Sequence, residues 1–103
     1  MSFAKEPSAY SKTALSDLQG AWANLRDAVF SNFGFQNSDK LLFHIDEAMS
    51  WECVRNLKLM QEAFLLVNNI ARQSAPDEVN ELVDAVREGL EEVHSAIAEG
   101  EGL

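Results

Sequence analysis

Residues 38–73 read SDKLLFHIDEAMSWECVRNLKLMQEAFLLVNNIARQ. The stretch holds neither glycine nor proline, the two residues that most often end a helix. At about 100° per residue, Leu42, Ile45, Met49, Cys53, Leu57, Met60, Phe64, Val67 and Ala71 share one stripe. Leu41, Ala48, Leu59, Ala63, Leu66 and Ile70 widen it on one side. An arc this broad suits a helix that contacts two others. One helix over 38–73 is expected, ~52 Å long at 1.5 Å per residue. That is long for a chain of 103 residues, and Ser50 is the one weak candidate for a bend.

The flanks of this stretch read as turns. Ser38 suits an N-cap, and Asp39 suits the positive end of the helix dipole. Gly34 reads as the C′ residue of a preceding helix, because glycine accepts the left-handed conformation. That first helix is expected over 8–33, with Leu15, Leu18, Trp22, Leu25 and Val29 on one face. Ala14, Ala21 and Ala28 form a row along its flank, where a neighbouring helix can approach closely. On the other side, Ser74-Ala75-Pro76-Asp77 reads as a capping box with Pro76 in the first turn. It opens a third helix over 75–98, with Val79, Leu82, Val83, Val86, Leu90, Val93 and Ile97 on its apolar face. Residues 1–7 are expected to form a mobile arm and 99–103 a tail.

Short connections make successive helices antiparallel. The predicted fold is all-α: a single helical domain over 1–103, an up-down-up three-helix bundle with a long middle helix. That helix would overhang its neighbours, which favours a homodimer through it.

Composition narrows the function classes. Apolar residues make up 47% and charged residues 24%, so a packed core is within reach. Seventeen acids against eight bases give a net charge of −9. Such a chain repels phosphate, so neither nucleic acid nor an anionic membrane is expected as a partner. No apolar run approaches the roughly 18 residues of a membrane span. Lys5, Glu6 and Pro7 stand where a signal peptide needs its apolar stretch. Cys53 is the sole cysteine, which excludes an internal disulfide. A cytoplasmic setting is expected.

Two surface features stand out. Residues 74–103 carry nine acids and one base, whereas residues 1–73 carry eight acids and seven bases. Asp77, Glu81, Asp84, Glu88 and Glu91 recur at helical spacing opposite the apolar stripe. Like charges so spaced repel one another. Their repulsion is expected to raise some carboxylate pKa values, unless bases on the earlier helices already pair with them. The second feature lies on the back of the middle stretch. Phe43, Val54 and Leu65 are spaced by eleven and would lie in line along one helix. Trp51 points further round, beside Arg55 and Lys58. Aromatic residues with arginine are the usual composition of an interface hot spot.

Catalytic chemistry finds little support. Glu91 and His94 form one Glu-x-x-His pair, where di-iron bundles use two. His44 and Glu47 have the reverse order. Cys53 falls on the apolar arc and reads as a buried side chain, not a nucleophile. Asn56 also falls on that arc, where a buried amide could set helix register. No metal or cofactor is expected. The function these features favour is a non-catalytic protein–protein interaction module. It would occlude a larger, partly basic protein as an inhibitor, anti-activator, immunity protein or secretion chaperone. The competing classes are a metal-binding or enzymatic bundle assembled by dimerisation, a purely structural homo-oligomer and a nucleic-acid mimic.

Overall fold

The computed structural model describes residues 9–54 and 56–98. The expected arm, the expected tail and Arg55 lie outside the described residues. Among the described residues there are four α-helices: α1 (Ala9–Ser31), α2 (Ser38–Cys53), α3 (Leu57–Ser74) and α4 (Asp77–Ala98). The three-helix expectation is thus corrected, because the middle stretch is two helices.

The break comes at Val54–Asn56, not at Ser50. Ser50 stays inside α2, its hydroxyl donating to the Asp46 carbonyl one turn back at 3.1 Å. Asn56 leaves the helical region at φ −97°, ψ 82° and caps α3. Its Oδ1 accepts from the Leu59 amide at 3.1 Å, while its own amide donates to the Trp51 carbonyl at 2.9 Å. Asparagine offers the backbone a local alternative to the helix ladder, which is why it favours caps over helix interiors. The energetic reason lies in the apolar arc. An unbroken helix would leave much of that arc without a partner. Folding back lets Leu41, Ile45 and Ala48 of α2 and Met60, Ala63, Val67 and Ala71 of α3 all become buried.

Cross-helix contacts set the topology. Gln19 meets Glu52 and Arg26 meets Asp46, so α1 and α2 are antiparallel. Gln61 meets His94 and Asn68 meets Arg87, so α3 and α4 are antiparallel. The Ser74 hydroxyl reaches the Gln36 carbonyl at 2.7 Å, bringing the end of α3 to the start of α2. Asn32 reaches Glu78 at 3.4 Å, bringing the end of α1 to the start of α4. The result is an up-down-up-down ring of four helices, with Trp22 of α1 and Phe64 of α3 meeting edge-to-face across the core at 6.2 Å.

Close backbone approach is concentrated in α1–α4 and α2–α3. In α1–α4 the expected alanine row is the reason: Ala14 and Ala28 are buried and Ala21 packs on the core. On the α4 side, a Cβ built on Gly89 would stand 3.4 Å from the Leu18 Cα. The other two seams are spanned by longer polar side chains.

The turns differ from their expected chemistry in two places. Gly34 does adopt positive φ, 117°, as expected. Ser38, however, is the first residue of α2, and the position before it is Asn37 at φ 65° with no side-chain cap. The Ser38 hydroxyl instead accepts from the Gly34 amide at 3.2 Å, tying the turn together. Ser74 is the last residue of α3. Its hydroxyl donates to the Gln36 and Ile70 carbonyls, so the expected capping box does not form. Asn80 closes that turn, its Nδ2 donating to the Ala71 and Ala75 carbonyls at 3.0 and 3.1 Å. No described helix is long and apolar enough to cross a membrane.

Candidate functional site

Among the described residues, three exposed phenylalanines, Phe30, Phe33 and Phe43, lie on α1, on the turn after it and on α2. On α2, Phe43, Trp51 and Val54 line one open cleft of about 510 Å³, with Asp46, Glu47 and Ser50 between them. Positions 43, 47, 50, 51 and 54 share a helix face, so the cleft follows from the 3.6-residue period. Phe43 and Val54 are each 65% exposed. Trp51 departs from expectation: it is half-buried and packed against the core, not out on the polar side.

Leu65 is exposed but does not line this cleft. Its spacing of eleven from Val54 aligns the two only along one unbroken helix, and the turn at 54–56 moves Leu65 to α3. Lys58 is exposed in the first turn of α3 and is likewise outside the cleft lining. The expectation for Arg55 lies outside the described residues, as does that for the Cys53 side chain.

The cleft continues onto α1 through one ion pair. The Arg26 Nε donates to Asp46 Oδ1 at 2.6 Å. The same guanidinium lies over the Phe30 ring, 4.8 Å from its centroid. Phe30 stacks on Phe33 at 6.4 Å, and both rings are about half exposed. A chain of contacts therefore runs from Phe33 through Phe30, Arg26 and Asp46 to the Phe43–Trp51–Val54 cleft. Sequence reading missed Phe30 and Phe33. Phe30 lies beside the apolar stripe near the end of α1 and Phe33 in the turn that follows it, so periodicity alone does not separate them from core residues.

The acidic residues of α4 do not act as one free face. Asp77, Glu81, Glu88 and Glu91 are exposed. Asp84 sits between two arginines, taking hydrogen bonds from Arg72 of α3 and from Arg87 at 2.6 Å. These two guanidiniums hold the Asp84 carboxyl below its usual range. The expected upward shift from self-repulsion is thus reversed at this residue, because folding brings Arg72 across from α3. Arg87 also reaches Asn68 Oδ1 at 2.9 Å, so Arg72 and Asn68 of α3 and Asp84 and Arg87 of α4 form one polar cluster on the α3–α4 seam. Glu88 lies on the other flank, at a shallow groove of about 550 Å³ between α1 and α4. Asp17 and Glu92 share that groove, over a floor made of Gly20, Ala21, Ala85 and Gly89.

Among the described residues, no three of His, Cys, Asp and Glu lie close enough to hold a metal ion. His94 Nε2 lies 3.2 Å from Gln61 Oε1, and His44 Nδ1 lies 3.1 Å from Glu47. The chain matches no protein-family model, no curated protein and no solved structure.

Proposed function

We propose that the protein is a non-catalytic interaction module whose α1–α2 face docks on a larger protein. The observation that carries this reading is the connected run of exposed aromatic and aliphatic groups around the Arg26–Asp46 pair. Exposed apolar groups joined into a patch lose free energy to water, and a partner surface would recover it. Aromatic rings flanking an arginine are the composition that dominates interface energetics. The acidic residues of α4 fit the same reading as a steering field. Exposed carboxylates accelerate encounter with a basic partner while adding little to the lifetime of the complex.

The test is capture of partners from the native cell, run in parallel with the wild type and with Phe43→Asp/Val54→Asp. Loss of a captured protein in the double variant supports the reading. An unchanged set of captured proteins sinks it. Sedimentation of the purified chain adds the homodimer as a defined outcome. If the wild type is a dimer and the double variant a monomer, the patch is a seam between two copies of this chain.

A further inference from the structure

A smaller cleft, of about 190 Å³, opens on the α1–α2 seam, lined by Gln19, Trp22, Met49 and Glu52. It shares no lining residue with the Phe43–Trp51–Val54 cleft, so what it binds is independent of the docking face. Glu52 is 8% exposed, a rare setting for a carboxylate. Its Oε2 accepts from Gln19 Nε2, a neutral amide, at 2.7 Å. Among the described residues Oε1 takes no hydrogen bond, yet it is not sealed from water. The ion pairs of the described residues use Asp46, Glu47 and Asp84 and leave Glu52 out. Withdrawing a carboxylate from water is costly without a cation beside it. Glu52 therefore offers a negative charge with one oxygen open, in a cleft it shares with the apolar side chain of Met49.

We infer that this cleft binds a primary ammonium on a short alkyl stem. The ammonium donates to Glu52 Oε1, and the stem lies along Met49, exchanging water for apolar contact. A guanidinium pairs best through two parallel bonds to both carboxylate oxygens, and Gln19 already occupies Oε2. A divalent metal needs several ligands, and among the described residues no three of His, Cys, Asp and Glu gather to supply them. An anion is repelled. The ammonium has two sources, a free small amine or a lysine side chain on a docked protein.

The test uses the full chain with its methionine methyls ¹³C-labelled, the Met49 resonance being assigned with Met49→Leu. Butylammonium is expected to shift that resonance saturably at neutral pH, with a Kd on the order of 1–10 mM for so small a probe. The resonance of Met60, which is wholly buried, stays in place. Butan-1-ol has a stem of the same length and no charge. It is expected to bind at least about tenfold more weakly, because a charged donor makes the stronger bond to a carboxylate. Butylguanidinium is expected to bind several-fold more weakly. In Glu52→Gln the preference for butylammonium over butan-1-ol disappears, while butan-1-ol still shifts Met49 and so reports that the cleft is intact. Nα-acetyl-lysine methylamide separates the sources. Binding at least as tight as that of butylammonium assigns the site to a partner's lysine, and weaker binding assigns it to a free amine. A Met49 resonance unmoved by butylammonium overturns the proposal and leaves the cleft to water. So does equal binding of butylammonium and either of the other two butyl probes, or a preference for the ammonium that survives Glu52→Gln.

Discussion

Asn56 shows how much one side chain decides. Its Oδ1 holds the Leu59 amide and starts α3. Asn56→Ala is expected to cost about 1 kcal/mol, the usual loss of a helix N-cap, and Asn56→Asp much less; urea unfolding of both variants checks this. Asp84 sets a pH dependence. Its hydrogen bonds to Arg72 and Arg87 lower its folded pKa below the ordinary 3.8. A lowered pKa means that this contribution is fully present above the unfolded value and is lost as pH falls through the folded one. The stability gap between wild type and Asp84→Asn is therefore expected to hold constant from pH 7 to 5 and to narrow as pH falls below the ordinary 3.8. Thermal melts of the pair across that range are the measurement, and a gap that widens on acidification rejects the role. In the sequence Asn56 fell on the apolar arc and read as an amide that could set helix register; nothing local separates such an amide from a cap. Asp84 was visible as an acid, while its Arg72 partner stands twelve residues away on another helix.

At the scale of helices, glycine positions report how closely neighbours pack. Gly20 has open space where a side chain would go, whereas Gly89 has the Leu18 side chain at 3.1 Å and its backbone at 3.4 Å. Gly20→Ala is expected to stabilise α1 by about 0.5–1 kcal/mol through helix propensity alone. Gly89→Val is expected to destabilise by about 1–3 kcal/mol, because α1 and α4 must separate to admit it. Chemical denaturation of the two variants gives opposite signs if the α1–α4 seam is as close as described. The alanine row of α1 announced a close neighbour, but which helix would fill that place depended on the chain turning back three times. With the 54–56 turn, the overhang that favoured a dimer through the middle helix also disappears.

Across the whole molecule, stability and recognition reside on different residues. Phe43 and Val54 are mostly exposed, so Phe43→Asp/Val54→Asp is expected to leave stability within about 0.5 kcal/mol per site while removing partner binding. Trp51 packs against the core, so Trp51→Asp is expected to lower the melting temperature as well. Equal melting temperatures for all three proteins would show that Trp51 belongs to the surface alone. The net charge of −9 adds a kinetic expectation. Glu81→Gln/Glu88→Gln is expected to slow association with a basic partner and flatten its salt dependence, with dissociation nearly unchanged. Stopped-flow association at two salt concentrations reads this directly.

The helical class, most of the core positions (Leu66, expected on the arc, is instead exposed) and the turn at Gly34 were legible along the chain, because the helical period and glycine's conformational freedom act locally. Leu18, Trp22, Leu25, Ile45, Met60 and Val83 are buried as their spacing implied. The apolar stripe kept its phase through the 54–56 turn, since both α2 and α3 face the same core. For that reason the stripe could not reveal that the chain reverses there. The number of helices, the pairing of Asp84 with Arg72, and the joining of Phe30 and Phe33 to the Phe43 cleft were decided by tertiary structure. Each depends on side chains from different helices meeting, and the free energy of such meetings exists only once the helices have packed.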